Sequence, residues 1–181
     1  MYPVTINSKR LALREFTPDD TGFLLKVYGN PETTRHLSFE PRTAEQVDDI
    51  VASAITSATE DPRTVYMLAI ADMVSGELVG AARLGLGEHE SGQIGFALRP
   101  DQWGQGKGVE TVRLLHQFGF NALDLHRIWG ARSPVNEASA RTMGNAGMIE
   151  EGIIRGHLFT RGAWRDSVVH SILSDEYRPD L

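Results

Sequence analysis

Residues 102–111, QWGQGKGVET, set glycines at 104, 106 and 108 around Lys107, directly before a segment with helical apolar spacing. Glycines let a backbone approach a ligand closely, and the first turn of a helix offers free N–H groups and the positive end of its dipole. Together they make an anion site suited to a phosphate or pyrophosphate, with Lys107 adding charge near its rim. The spacing is not GxxxxGK[ST], and the loop lacks the first-strand position and downstream acid of a dinucleotide fingerprint, so another ligand carries the anion. Just upstream, Ile94, Phe96 and Leu98 share one face of a strand, while Gly95 and Ala97 leave the other face bare. A bare strand face admits something close to the backbone.

The other chemically able residues are dispersed. With six histidines and no cysteine, and no pair of histidines at helical metal-ligand spacing, the sequence predicts no metal site. Trp103, Trp129 and Trp164 fall on separate segments, and Trp129, inside the apolar run RIWGAR, reads as core. The 24 acids against 18 bases give a net charge of −6, which disfavours nucleic acid and modestly favours a cationic partner such as an amine. Zero cysteines exclude a disulfide scaffold and a thiol nucleophile, and suit a reducing cytoplasm. The N-terminal residues hold no apolar run of signal-peptide length, and no stretch reaches the roughly 18 apolar residues of a membrane span. The reading is a cytoplasmic protein with no membrane partner, folded as one domain over residues 1–181; a homodimer is compatible with it.

These groups need elements to hold them. RLALREF (10–16) reads as a strand, and Thr17-Pro18 opens a helix with Phe23, Leu24 and Val27 inward. Asn30-Pro31 starts a further turn. Thr43 and Gln46 form a capping box ahead of Val47, Ile50, Val51, Ala54 and Ile55. VYMLAI and LVGAARLGL read as a hairpin around DMVSGE, followed by the strand at 93–98, the glycine loop and a helix over 111–122. RIWGAR (127–132) is a strand, Asn136 caps the helix EASARTMGNA, Gly147 ends it, and IIRGHLF with WRDSVVHSIL closes the chain as a hairpin. The order gives an α+β, mixed α/β layout, without regular βαβ alternation.

In that order the chain resembles the GCN5-related N-acetyltransferases, the GNAT superfamily, and within it the group acting on ribosomal-protein N-termini and related amines. The resemblance rests on LRP (98–100), WGQGKG (103–108), HRIWGARSPVNEAS (126–139), AGMIEEG (146–152) and GAWRDSV (162–168). It implies a splayed, mostly antiparallel central sheet with helices on both faces, and acetyl-coenzyme A entering between the strands near 94–98 and 127–132. The cofactor-binding residues it implies are Leu98, Gln105, Gly106, Lys107, Gly108, Val109, Asn136 and Ser139. Glu110 departs from the family's small residue at the end of the loop motif, and must turn outward or pair with Arg113 if it is not to repel phosphates.

The chemistry implied is direct acetyl transfer from the thioester to an amine acceptor, a peptide N-terminus or a small molecule, in a ternary complex with no enzyme-bound intermediate. Ser139 either donates to the leaving thiolate or bonds only backbone at the start of its helix. Where relatives carry a glutamate base, this chain has Leu158. His157 is the neighbouring base candidate, although one step along a strand reverses the face; Glu40 and Asp166 are others, with Asp166 expected to stabilise a turn. A peptide acceptor predicts an open groove lined by acids, and a small amine a closed aromatic pocket. The rivals are a non-catalytic coenzyme A-binding sensor of the same fold, supported by Glu110 and Leu158, and nucleotide binding at the same loop.

Overall fold

Alternation along the central strands decides the layers. In the computed structural model, which describes residues 2–179, β3 (Val65–Asp72), β4 (Leu78–Leu86) and β5 (Ser91–Leu98) are largely buried on both faces. Leu68, Ile70, Ala82, Leu84 and Ile94 turn to one face and pack with Val112, Leu115 and Phe118 of α4 (Lys107–Asn121) and Met143 of α5 (Glu137–Asn145). Ala69, Ala81 and Ala97 turn to the other, under Leu24 and Val27 of α1 (Thr21–Tyr28) and Val47 and Val51 of α3 (Ala44–Ser57). Fully buried leucines such as Leu68, Leu84 and Leu115 each contribute about 1.5–3 kcal/mol relative to exposure. Because helices cover both faces, these strands read as continuous apolar runs.

The remaining elements are β1 (Thr5–Asn7), β2 (Leu11–Arg14), α2 (Pro31–Thr34), β6 (Arg127–Arg132), β7 (Ile149–Thr160) and β8 (Ala163–Leu173), with short 3-10 turns at Pro18–Asp20 and Pro100–Gln102. All eight strands form one sheet in the order β1-β2-β3-β4-β5-β6-β8-β7, antiparallel except for β5 with β6. This is the mixed α/β, mostly antiparallel sheet with helices on both faces that the sequence predicts.

The caps lie where the residue types place them. Thr43 Oγ1 accepts from Gln46 N at 3.3 Å while Gln46 Oε1 accepts from Thr43 N at 3.1 Å. Asn30 Oδ1 accepts from Glu32 N, and Gly147 takes the positive φ of 95° that ends α5. Three elements differ from expectation. The three-residue β1 was too short to carry a pattern; α4 begins at Lys107, so half of the glycine loop is already its first turn; and Trp129 is half-buried on the sheet face rather than in the core.

Candidate active site

β5 pairs with β6 only from Ser91–Arg127 to Ile94–Gly130. Beyond that pair the strands part, and a notch opens between Gly95–Leu98 and Ala131–Arg132. The antiparallel register with β4 fixes which backbone groups face it. Gly87 N donates to Ser91 O and Arg99 N to Val79 O, so odd-numbered β5 residues bond to β4 and even-numbered ones turn toward β6. The N–H groups of Phe96 and Leu98 therefore face the notch without a strand partner. Leu98 O, turned the same way, accepts from Trp103 Nε1 at 2.8 Å. A Cβ added at Gly95 would meet nothing within 4 Å, so the bare face predicted from Gly95 is open space.

The glycine loop lies at the end of this notch. Gly104 and Gly106 adopt φ of 71° and 76°, left-handed values that side chains disfavour, and Gly106 caps α4. Glu110 N bonds to Gly106 O, but the N–H groups from Gly104 to Val109 find no backbone acceptor. They form a nest of donors at the positive end of a 15-residue helix.

Of the residues expected to bind cofactor, Leu98, Gly106, Gly108, Val109, Asn136 and Ser139 line a single cavity of about 1360 Å³ that runs from the loop through the notch. The side chains of Gln105 and Lys107 do not. Gln105 Nε2 donates to Asp101 O at 2.8 Å. The expected rim charge is corrected: the Lys107 stem runs away from the loop, and its buried Nζ donates to Asp72 Oδ2 at 2.8 Å and Gln102 Oε1 at 2.6 Å. That hydrogen bond, with two from backbone N–H groups of Ser75 and Val74, holds the Asp72 carboxyl well below the usual carboxylate range. What Gln105 and Lys107 present to an anion is backbone N–H.

Glu110 points away from the nest. Its carboxylate accepts from Ser8 Oγ at 2.6 Å, Arg10 N at 3.1 Å and Arg10 Nε at 2.7 Å, so its cation is Arg10 and not Arg113. Burial pulls the group up, but these bonds outweigh it and leave Glu110 below its ordinary value. Arg10 Nη1 also donates to Gln105 O at 2.8 Å. Glu110 thus ties the start of α4 to the turn between β1 and β2, with its charge paired to Arg10 rather than turned toward the nest.

Asn136 Oδ1 caps α5 by accepting from Ser139 N at 3.1 Å, which leaves its amide N–H groups for a ligand. Among the described residues the Ser139 hydroxyl makes no hydrogen bond, and it faces the cavity, so it does not bond only backbone.

His157 and Leu158 both line the cavity, against the expected face reversal. The reason is a bulge. Four steps of β7, from Ile154 to Leu158, oppose two steps of β8, from Ser167 to Arg165. Gly156 takes φ of 56° there, and its N–H donates to Asp166 Oδ1 at 2.8 Å, so Asp166 holds the bulge as a turn-stabilising residue. His157 Nδ1 is buried with no partner. Glu40 is exposed and outside the cavity.

Sequence reasoning passed over the residues at the other end of the cavity. Tyr28, Phe39 and Met67 give it an apolar wall beside Arg35, Arg83 and Arg165; over the whole cavity these three with Arg132 and Arg141 outnumber Glu32 and Glu137. The expected groove of acids is not what the first helices and last hairpin build. Arg83 carried one signal, a lone charge within LVGAARLGL. The others converge from distant segments and left none. Elsewhere, His116 is a core residue: burial first, and then Arg113, push it down to about 4. No helix among the described residues is long and apolar enough to cross a membrane.

This chain resembles known proteins in sequence and in fold. It is 26% identical over 176 residues to the uncharacterized N-acetyltransferase p20 of Bacillus licheniformis, covering 96% of this chain and 98% of that one. Its fold superposes on Mycobacterium smegmatis RimJ in complex with CoA-disulfide with a TM-score of 0.82, at 22% identity over 97% of this chain and 90% of that one. The TM-score is 0.80 with spermidine N-acetyltransferase from Vibrio cholerae in complex with CoA and spermine, at 20% identity over 94% of this chain and 99% of that one. The acetyltransferase (GNAT) domain model matches residues 10–149, and the chain belongs to that family of N-acetyltransferase enzymes.

Proposed function

We propose that this protein transfers an acetyl group from acetyl-coenzyme A directly to a primary amine. The observation that carries the reading is the continuity of the loop's free N–H groups with the notch beyond Ile94 and Gly130. The related folds of RimJ and the spermidine acetyltransferase were solved with CoA-disulfide and with CoA and spermine, which supports the same use here. When bound, the cosubstrate supplies an activated thioester. The N–H groups of Gly106, Lys107, Gly108 and Val109 would hold its pyrophosphate, and the Asn136 amide its pantetheine arm. Cytoplasmic location belongs to this reading, in keeping with the absence of cysteine.

The protein's own groups then have defined tasks. Phe96 N–H and Leu98 N–H are fixed donors where negative charge develops on a carbonyl oxygen, and such preorganised donors need no rearrangement during reaction. Ser139 Oγ is free to give a proton to a leaving thiolate. His157, with no intramolecular partner, takes the proton of the incoming ammonium, directly or through water. The sequence has no cysteine to carry an acetyl group, in keeping with a reading in which amine and thioester meet in one complex.

Thiol release from acetyl-coenzyme A across a panel of amines, together with calorimetric titration of coenzyme A, tests the proposal. Turnover with any amine removes the non-catalytic sensor. Tight binding without turnover on any amine favours it, and heat from NAD or ATP but none from coenzyme A overturns both.

A further inference from the structure

Six of the fifteen arginines of this chain are matched to carboxylates. Arg10 pairs with Glu110, Arg14 with Asp20, Arg63 with Glu15, Arg99 with Asp101, Arg127 with Glu151 and Arg132 with Glu150. Arg35, Arg83 and Arg165, at the end of the cavity remote from the glycine loop, are not, and neither is Arg161, which lies outside the lining near His36. Arg165 Nη1 donates to the carbonyl oxygens of His36 and Leu37 at 2.9 and 3.3 Å, and Arg161 Nη2 to Thr34 O at 2.8 Å. Those bonds pin the 34–37 segment and leave the positive charge uncompensated. His36 registers the field: burial first, then Arg35, Arg165 and Arg161, hold its imidazole below its ordinary value.

Arg83 is the most telling of them. It is the one exposed residue inside β4, standing between Met67 of β3 and Gly95 of β5 on the cavity face. Among the described residues its guanidinium has neither a hydrogen bond nor an ion pair. It lies back over Gly85, where an added Cβ would come within 2.7 Å of Nη2. Gly85 opposes Gln93, so the guanidinium leans away from the glycine loop. Gly95 is itself three residues, about 10 Å, from the end of β5 that carries the phosphate nest. Arg83 is therefore placed for a different anion from the cosubstrate's phosphates. A free guanidinium in a cavity wall is a bidentate receptor for a carboxylate, and Tyr28, Phe39 and Met67 beside it offer apolar surface.

We infer that the acceptor is an amino acid, an amine that carries its own carboxylate and an apolar side chain, with Arg83 binding the carboxylate. This rests on the reading of the cavity as an acetylation site. It turns the charge expectation around: an acidic protein surrounds a cationic acceptor end, and a polyamine would meet like charge there.

The test compares phenylalanine, methionine and leucine with their carboxamides and with spermidine, by thiol release from acetyl-coenzyme A, on the wild type and on Arg83→Met and Arg83→Lys. The free acids should exceed their amides at least tenfold in kcat/KM. Arg83→Met should collapse that ratio tenfold or more, mainly through KM, and Arg83→Lys should restore part of it. Calorimetric titration of phenylalanine and phenylalaninamide into the coenzyme A-loaded protein should show the same preference and the same loss. Amides or spermidine favoured over acids, or a ratio unchanged in Arg83→Met, overturns the inference and leaves the transferase reading intact. If no amine releases thiol, the transferase reading fails, and the calorimetric preference alone decides whether Arg83 recognises a carboxylate.

Discussion

Replacing Lys107 by methionine separates a structural lysine from a phosphate-binding one. The ammonium sits 2.8 Å from Asp72 Oδ2 and 2.6 Å from Gln102 Oε1, with side-chain exposures of 9% for Lys107 and 19% for Asp72. Hydrogen bonds to charged groups contribute about 1.5–3 kcal/mol each. Methionine keeps the stem's packing and removes the buried charge together with its desolvation cost, and Asp72 keeps bonds from Val74 N and Ser75 N, so the net loss should be about 2 kcal/mol, the worth of one such bond rather than two. For a chain of this size that lowers Tm by roughly 4–8 °C. Coenzyme A affinity should stay within about twofold, because the charge is absent from the nest; a lysine on phosphate would lose tenfold or more. The pH dependence adds a sign. Asp72 is held below its unfolded value of about 3.9, so its contribution is complete above that pH and is lost as pH falls through the folded value. The stability gap between wild type and Lys107→Met should be constant from about pH 5 to 8 and narrow below about pH 4. Thermal unfolding across that range, with calorimetry at pH 7, measures both. A tenfold loss of coenzyme A affinity with Tm unchanged would refute the assignment.

Gly95→Val should leave Tm unchanged or raised, since an added Cβ meets nothing within 4 Å and strands favour β-branched residues, while thiol release falls at least tenfold; wild-type turnover would contradict a reactive notch. Ser139→Ala should lower kcat about tenfold to a hundredfold with coenzyme A affinity within about threefold, because the hydroxyl bonds nothing in the fold, and an unchanged kcat removes it from proton transfer. His116→Leu should flatten the pH dependence of stability. The buried ring holds its pKa at about 4 against roughly 6.5 unfolded, so the unfolded chain binds more protons between those values and wild-type stability rises with pH there, by up to about 3 kcal/mol. Guanidinium unfolding at pH 5 and pH 7.5 should show a smaller difference in the variant than in the wild type.

The elements that could be read from residues alone are those whose signals are local. Thr43 with Gln46, Asn30 before Pro31 and Gly147 after α5 each act through bonds spanning a few residues, so their types fix their geometry. The three strands between 65 and 98 were equally legible, because both faces are covered and each reads as an apolar run bounded by polar turns. The start of α4 was not, because Gly106 and Gly108 resist helix by propensity, whereas here Gly106 is a left-handed cap and the next residue already turns. Trp129 misled for a related reason. On β6 its face meets β8 and the open surface beside β7 rather than a helix, so an apolar run did not mean a covered one.

The site divides the same way. The loop, the bare Gly95 and the Asn136–Ser139 pair are short-range patterns, and each reaches the cavity. Lys107 shows where such patterns stop: spacing placed its backbone, but the direction of its side chain was decided by Asp72, 35 residues away. Face parity failed at His157 because parity assumes a regular ladder, and Gly156 with Asp166 breaks the ladder at that point. A glycine directly before a candidate strand residue is itself the warning, since a positive φ there lets neighbours share a face. The acceptor end has no local signature at all. Arg165 and Arg161 act on carbonyls more than 120 residues away, and only the fold shows that their charge, with that of Arg83, is left without a carboxylate. Cosubstrate recognition, built on backbone, is therefore readable from glycine spacing, whereas acceptor recognition, built on side chains from opposite ends of the chain, becomes readable only when those ends have been brought together.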